Sequence, residues 1–365
     1  MVCSLQPQTK AQMANKERIT AMETIVYYGP EQLGLENREI PVPGPHEVLI
    51  RVEAVGICGS ELEGYLGHSS VRIPPLVMGH EFCGIIAALG AGAAPAHTGI
   101  GDKVVVNPLI ACGQCDRCIA GNPNICRSRQ IVGIHRPGAF ADYAVVPARS
   151  VHVIAQHVDS ALASLAEPLA VCIHALRLGC QSFDDLIIFG AGPIGLLTLQ
   201  AALLMGAGRV LVVDRQETRL AYAAELGGIA VPPGQLMETC HRVFGEQGVD
   251  TVIDCVGVQA TRAQSLQLVN AGGRIIMVGL GSNDTQLPMN ELVRKEVAII
   301  GSYTYSDADF KHAVQLLVSG KIKMTNWATR QPLSAAPEAF RQLTAGTSAW
   351  SKIILEPGTV SERIS

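Results

Sequence analysis

Aromatic residues are scarce in this chain, and basic residues are not in excess. Phe, Trp and Tyr make up 4% of its 365 residues, charged residues make up 16%, and the formal net charge is −4. Because a nucleic-acid binder needs a basic surface to neutralise phosphates, this balance argues against a nucleic-acid partner. Hydrophobic residues make up 48%, which is too apolar for a disordered protein. The length predicts two or three globular domains, with one large domain as the alternative, and the composition predicts an aliphatic core.

An apolar signal segment is also missing from the start of the chain. Residues 1–21 are polar, and we interpret them as a flexible N-terminal extension. The uncharged stretch 186–208 is long enough to span a bilayer, but several helix breakers fall within it: Gly190, Gly192, Pro193 and Gly195. A buried strand, a glycine turn and a buried helix explain this stretch better than a membrane span. We therefore expect no membrane partner.

The pattern of apolar residues changes along the chain. Up to about residue 170 it predicts short strands separated by Gly and Pro turns, with weak helical periodicity; the strands are expected at 47–54, 82–89 and 103–106. Later apolar runs are expected to form strands at 186–189, 210–213, 251–254, 274–278 and 297–300. Helical segments separate these later runs, including one over 307–319. Strands that alternate with helices predict βαβ units and a parallel sheet.

A glycine turn marks a dinucleotide site in this second region. Gly190, Gly192 and Gly195 form a GxGxxG pattern that includes Pro193 and Ile194, follows a predicted strand and opens a predicted helix. The pattern lets a pyrophosphate approach the helix N-terminus, whose free N–H groups favour an anion. Asp214 ends the next predicted strand, where a carboxylate binds the adenosine ribose and repels a 2′-phosphate, so we expect NAD. Arg215 leaves NADP open, because a cation there could bind that phosphate.

Four of the eleven cysteines fall close together, as Cys112, Cys115, Cys118 and Cys126. Four thiolates at this spacing can close a tetrahedral zinc site that has no open position, so the site is expected to be structural. Zinc thiolates also require a reducing compartment, and we expect a cytoplasmic protein.

A second set of metal-ligating residues is scattered along the chain. Cys58, His80, Glu81 and Glu167 offer zinc ligands, but the segments that carry them lie far apart in sequence. Each residue also has an ordinary structural explanation: a small buried thiol, a core histidine or a carboxylate in an ion pair. Spacing alone does not decide between these interpretations.

Taken together, the motifs resemble the zinc-containing medium-chain dehydrogenases, and most of all their polyol branch, which includes sorbitol, galactitol-1-phosphate and butanediol dehydrogenases. The resemblance extends from about residue 22 to residue 356. The matching stretches are GICGSELEGY (56–65), GHEFCG (79–84), GDKVVV (101–106), CGQCDRCIAGNPNIC (112–126), GAFADYAVVP (138–147), LAEPLAVCIHAL (165–176) and GAGPIG (190–195).

The resemblance implies an α/β protein of two domains. A GroES-like, β-rich catalytic domain is expected over 22–170 and 324–365, with a structural zinc lobe at about 107–130. A Rossmann domain with a doubly wound parallel sheet is expected over 171–323. The family also implies a homodimer or homotetramer.

Site roles follow from the same resemblance. Cys58 and His80 are expected to bind a catalytic zinc, and Glu81 or Glu167 supplies a carboxylate, with the choice between them open. Such a set leaves one zinc position for water or substrate. Ser60 matches the hydroxyl that passes on the substrate proton. The chain is thus expected to hold two zinc ions.

This sequence departs from its relatives at two positions. Glu63 stands where many relatives have the histidine that ends the proton path. Thr304 stands near the place where sorbitol dehydrogenase carries an arginine that binds a polyol hydroxyl. The first departure leaves the proton exit open, and the second weakens an assignment to sorbitol itself.

The expected function is the NAD-dependent oxidation of a secondary alcohol, with a sugar alcohol or vicinal diol as substrate and a ketone as product. One alternative is a phosphorylated polyol, with His135 and Arg136 as phosphate contacts, although a solvated loop also explains this pair. Another is a non-catalytic, zinc-stabilised nucleotide-binding protein, which would have no need of Cys58, His80 and Glu81.

Overall fold

The computed structural model describes residues 21–93 and 98–358 of the chain. The predicted N-terminal extension lies outside these residues except for Ala21, which begins the first strand. The strands are β1 (Ala21–Gly29), β2 (Gln32–Glu39), β3 (Glu47–Gly56), β4 (Glu81–Leu89), β5 (Lys103–Val106), β6 (Leu109–Ile110), β7 (Gln130–Ile131), β8 (Tyr143–Pro147), β9 (Val151–Val153), β10 (Leu186–Phe189), β11 (Val210–Val213), β12 (Ile229–Val231), β13 (Val249–Asp254), β14 (Val269–Met277), β15 (Ala298–Gly301), β16 (Ala328–Pro332) and β17 (Lys352–Glu356).

Eleven α-helices are found within the described ranges. They are α1 (Gly59–Tyr65), α2 (Asp116–Ile119), α3 (Ser160–Ser164), α4 (Ala166–Gly179), α5 (Pro193–Leu204), α6 (Glu217–Glu225), α7 (Leu236–Phe244), α8 (Gln259–Leu268), α9 (Met289–Lys295), α10 (Asp307–Val318) and α11 (Ala336–Thr344). None of these helices is both long and apolar enough to cross a membrane.

A six-stranded parallel sheet forms the second half of the molecule. Its strand order is β12-β11-β10-β13-β14-β15, so the chain builds outward from β10 in both directions. Every residue of β10 and β11 is buried, because helices cover both faces of the sheet. The helix α5 is likewise apolar on all sides, which explains the uncharged stretch as a core helix. This is the doubly wound sheet that the sequence predicted.

A mostly antiparallel sheet forms the other half. Its strands run in the order β16-β17-β3-β4-β5-β9, and β8 also pairs with β3. The strands β16 and β17 come from the end of the chain and return to this sheet beside β3. The β6–β7 pair and α2 form a small lobe that holds the four clustered cysteines.

Helix α4 lies between the two sheets. Its buried residues, among them Leu169 and Ile173, share one apolar core with Cys83 of β4, Ile188 of β10 and Phe310 of α10. The packing fixes the first turn of α4 at the junction of the two halves, and Glu167 lies in that turn.

Candidate active site

The four clustered cysteines converge around one point in the lobe. The Cys115 sulfur lies 3.5 Å from that of Cys118 and 3.9 Å from that of Cys126, and the Cys112 and Cys118 sulfurs are 3.9 Å apart. A tetrahedral zinc with Zn–S bonds of about 2.3 Å places its sulfurs about 3.8 Å apart. Main-chain N–H groups lower the pKa of Cys115 to about 6, which favours the thiolate. The donor set and its spacing fit a four-thiolate zinc site.

A second group of donors forms where α1 meets β4. Ligand atoms of Cys58, His80 and Glu81 all lie within 4.8 Å of one another. Cys58 caps the N-terminus of α1, and Glu81 begins β4 opposite Gly56 at the end of β3. The strand register therefore brings together residues that are 23 positions apart in sequence. A thiolate, an imidazole and a carboxylate in one group fit a zinc site with an open fourth position.

Glu61 orients this group, although the sequence analysis gave it no role. Its fully buried carboxylate accepts hydrogen bonds from the main-chain N–H groups of Cys58, at 3.0 Å, and Gly79, at 2.7 Å. It also lies 2.9 Å from Nδ1 of His80. Burial opposes ionisation, but the charge of His80 lowers the pKa of Glu61 overall. A carboxylate bonded to Nδ1 directs Nε2 of the histidine toward a metal, as in many zinc sites.

Lys352 was also missed, and it pairs with Glu81. Its ammonium donates to the Glu81 carboxylate, and both side chains are buried. Burial opposes the charged ammonium, but the negative charges of Glu81 and Cys58 raise the pKa of Lys352 overall. The pair occupies the space beside Gly56, where a Cβ atom would lie 2.4 Å from the Glu81 carboxylate.

Glu167 lies near this group but is not part of it. Burial raises the pKa of the Glu167 carboxyl to about 7; the charge of Glu81 acts in the same direction, and that of His80 acts against it. Glu167 also interacts with Tyr305, and burial together with the Glu167 charge raises the pKa of the phenol. The Tyr305 hydroxyl nevertheless meets no partner with good hydrogen-bond geometry within the described part of the chain.

Ser60 lies beside the group. Its hydroxyl donates to the Cys58 sulfur at 3.4 Å and accepts from the guanidinium of Arg72 at 3.0 Å. Glu63 lies farther along α1, where its exposed carboxylate is 2.9 Å from Nδ1 of His68.

The glycine turn at 190–195, between β10 and α5, has the geometry that a dinucleotide cradle requires, and we call it the cradle below. Gly190 has a φ of +94°, and a Cβ at Gly195 would lie 1.7 Å from the Gly190 carbonyl oxygen, so no larger residue fits there. A Cβ at Gly192 would meet no atom of the described part of the chain within 4 Å, which leaves room for a pyrophosphate at the start of α5. Asp214 accepts the Ala191 N–H at 2.7 Å.

Two arginines follow Asp214 closely in the chain. The guanidinium of Arg219 lies 3.9 Å from Asp214, and Arg215 is exposed beside it. The Asp214 carboxylate thus stands at the rim of the cradle with cations close by.

One cavity joins the donor group to the cradle. It has a volume of about 410 Å³, and its lining includes Cys58, Glu81, Gly192, Asp214 and Lys352. A metal held by Cys58, His80 and Glu81 and a dinucleotide held by the glycine turn would therefore meet in one space.

Two family models match this chain. Residues 44–156 match the alcohol dehydrogenase GroES-like domain, and residues 193–319 match the zinc-binding dehydrogenase model. Among curated proteins, the L-galactonate-5-dehydrogenase of Escherichia coli K12 is 32% identical over 329 residues, which cover 89% of this chain and 96% of that protein. The chain belongs to the zinc-binding dehydrogenase family.

Other members of the family support the same assignment. A sorbitol dehydrogenase of Halalkalibacterium halodurans is 30% identical over 90% of this chain and 97% of its own length. A zinc-binding dehydrogenase of Sinorhizobium meliloti 1021, solved with NADP, aligns with a TM-score of 0.85 and 31% identity over 92% of this chain and 99% of that chain. A short chain alcohol dehydrogenase of E. coli CFT073, solved with NADH, aligns with a TM-score of 0.85 and 30% identity over the same shares.

As a zinc-binding dehydrogenase, the chain is an NAD-dependent oxidoreductase of secondary alcohols with a GroES-like and a Rossmann half, and its cofactors are zinc and NAD.

The remaining predicted positions are engaged in local contacts. The Arg136 guanidinium forms an ion pair with Glu47, and Nδ1 of His135 accepts the main-chain N–H of Ile131 at 3.1 Å. Thr304 adopts a left-handed backbone with a φ of +51°.

Proposed function

We propose that this dehydrogenase oxidises a secondary hydroxyl of a sugar alcohol or vicinal diol to the ketone, with transfer of the hydride to NAD. The observation that carries the proposal is the single cavity lined by both the metal-ligating group and the dinucleotide cradle. Bound zinc would polarise the alcohol oxygen, and the nicotinamide would accept the hydride.

We assign the site roles as follows. Cys58, His80 and Glu81 hold the catalytic zinc, because their donor atoms form one group, whereas Glu167 lies beside that group. Ser60 takes the proton of the substrate hydroxyl, since its oxygen lies next to the Cys58 sulfur. Asp214, with Gly190, Gly192, Pro193, Ile194 and Gly195, binds the cofactor and favours NAD over NADP. Arg215 stays a competing contact for a 2′-phosphate.

A hydroxyl-rich substrate suits this site. The donor set includes the buried Glu81, and the buried ionisable groups Glu167 and Lys352 lie beside it. A site of that kind binds hydroxyl groups better than a flat apolar ring. The curated relatives compared above are named for the oxidation of a sugar acid and of a sugar alcohol.

We also propose two zinc ions per chain, one in each donor group, in a cytoplasmic protein whose thiols stay reduced. The catalytic domain would comprise residues 22–170 and 324–365, including the lobe at 107–130, and the Rossmann domain residues 171–323. The two sheets support this division, because β16 and β17 return to the sheet of β3 and β4.

A homodimer or homotetramer completes the proposal. Strand β15 is the outer strand of the parallel sheet and leaves apolar side chains such as Ile299 exposed. Leu280, Met289 and Val293 are exposed in the segments just before β15. Paired β15 edges from two copies would cover this surface. Sedimentation equilibrium should give a mass of two or four chains, and a monomer at micromolar concentration would contradict this part.

A substrate panel tests the function. We expect NADH formation with higher kcat/KM for sorbitol, galactitol and 2,3-butanediol than for ethanol or benzyl alcohol. Cys58→Ala should abolish the reaction with every substrate while leaving the unfolding temperature unchanged. A preference for primary or aromatic alcohols would overturn the polyol assignment, and a preference for galactitol 1-phosphate would favour the phosphorylated alternative.

A further inference from the structure

Arg72 is a buried cation that forms no direct ion pair within the described ranges, although the charge of the buried Glu61 carboxylate acts on it from farther away. Its side chain is 6% exposed, and within the described ranges no carboxylate oxygen lies within 4.0 Å of its guanidinium. Its polar contacts are the hydroxyls of Ser60, at 3.0 Å, and Ser69, at 3.5 Å, while its Nε meets no partner among the residues that the structure describes. Burying a guanidinium without a directly paired carboxylate is costly. The buried guanidinium contacts Ser60, which lies next to the metal-ligating group.

Local packing fixes the guanidinium under α1. A Cβ atom at Gly64 would lie 2.5 Å from Cδ of Arg72, so only glycine leaves room for the arginine. The Tyr27 hydroxyl donates to the Gly64 carbonyl oxygen at 2.9 Å and holds the same turn from the other side. This packing therefore fixes the path of the Arg72 side chain toward Ser60.

The hydrogen bonds of Ser60 then have a set direction. A hydroxyl carries one proton and two lone pairs. The Arg72 N–H occupies one lone pair, and the Ser60 proton points to the Cys58 sulfur. One lone pair is left, and it is free to accept the proton of a substrate hydroxyl bound beside Cys58, which lines the cavity.

We propose that Arg72 is a positioning residue for proton transfer: it holds the Ser60 hydroxyl as an acceptor facing the substrate oxygen. This inference rests on the proposed alcohol oxidation, in which the substrate O–H bond breaks, its carbon gives a hydride to NAD and one proton leaves. Ser60 gains the substrate proton as it passes its own to solvent water, which its exposed hydroxyl can reach, and the guanidinium stabilises the oxygen during the exchange. Arg72 itself touches neither substrate nor cofactor.

A double-mutant cycle tests the proposal. Arg72→Met should lower kcat about 10- to 100-fold, the range of one hydrogen bond to a charged group, with the KM for NAD and the zinc content unchanged. Arg72→Lys should restore most of kcat. In a Ser60→Ala background, Arg72→Met should cause no further loss, because its effect acts through Ser60. Additive losses in the double variant would contradict the proposal.

Ser69→Ala provides the matched control, since it removes the other hydroxyl that Arg72 contacts. Its kcat should equal that of the wild type, and a loss equal to that of Arg72→Met would assign Arg72 a merely structural role.

Crystal structures supply a readout other than turnover. Ser60 should keep one rotamer in Arg72→Lys and occupy several in Arg72→Met, and an unchanged rotamer in Arg72→Met would overturn the positioning role. If the wild type oxidises no alcohol of the panel, the proposed function fails, while the rotamers still decide whether Arg72 orients Ser60.

Discussion

Lys352 and Glu81 form a buried ion pair beside Gly56, although 271 residues separate them in the chain. Lys352 begins β17 and Glu81 begins β4, and both strands pair with β3. The last strand of the described chain thus places the Lys352 ammonium in the candidate active site.

In metal-free protein, substitutions at Glu81 and Lys352 should have strongly non-additive effects on the free energy of unfolding. We expect Lys352→Met to lower the free energy of unfolding by about 3–5 kcal/mol, because it leaves the Glu81 carboxylate buried without a partner. The double variant Glu81→Gln/Lys352→Met should regain much of that loss, since neither charge is left alone. Chemical denaturation of chelator-treated protein measures both effects. Equal destabilisation in the single and double variants would show that the pair contributes no coupling.

Asp214 should set the cofactor preference. Its carboxylate at the rim of the cradle would repel a 2′-phosphate by an energy on the order of a few kcal/mol. We expect Asp214→Ala to raise kcat/KM for NADP relative to NAD by about 10-fold or more. Glu217→Gln, which removes an exposed acid at the start of α6, should leave the ratio unchanged. Equal use of NAD and NADP by the wild type would mean that Arg215 and Arg219 dominate.

The Asp309 cluster should make stability depend on pH. Asp309 lies 2.9 Å from Nδ1 of His174 and 2.8 Å from the Arg177 guanidinium, and it accepts the Ser306 hydroxyl. Burial opposes ionisation, but the hydrogen bonds from His174 and Ser306 hold the pKa of Asp309 well below its ordinary value of 3.8. A lowered pKa stabilises the fold above the ordinary value, and that contribution is lost as the pH falls toward the folded-state pKa.

We therefore expect Asp309→Asn to lower the free energy of unfolding by about 1–3 kcal/mol at neutral pH. The difference from the wild type should stay constant down to about pH 5 and shrink below about pH 4. Asp284→Asn, at an exposed position, is the control and should change little. A difference that grows as the pH falls would contradict this assignment.

The structural zinc group should contribute to stability rather than to chemistry. Cys115→Ser should remove one zinc per chain and destabilise the fold by about 4 kcal/mol or more, as expected when a structural metal is lost. Cys180→Ser, which changes a half-buried thiol outside both donor groups, should leave the zinc content and stability unchanged. Zinc analysis and thermal unfolding test this, and an unchanged unfolding temperature for Cys115→Ser would refute a structural role.

Local patterns were sufficient to predict the glycine turn and the parallel sheet. The glycine turn depends on neighbours in sequence, and the apolar runs at 186–189 and 210–213 match β10 and β11. Strand ends were less well predicted: the run at 274–278 belongs to β14, which begins at Val269.

Helix α4 illustrates a limit of periodicity. The first 170 residues showed weak helical periodicity, yet α4 begins at Ala166 and carries Glu167. Because α4 is buried on most sides, its sequence has no polar face to mark the helical period.

The residues that support the site could not be predicted for a different reason. Glu61, Arg72 and Lys352 act through contacts made by the folded chain, and none of the three belongs to a ligand pattern with fixed spacing. Such partners are visible only after the strands align and the loop between α1 and β4 packs.

Zinc content measured against NADH formation tests the central claim most directly. We predict two zinc ions per chain in fully active wild-type enzyme. Mild chelation should remove one zinc together with all turnover, and one equivalent of zinc should restore both. Cys58→Ala should hold one zinc, stay folded and form no NADH. Full NADH formation from a polyol by wild-type protein that holds one zinc or none would contradict the account.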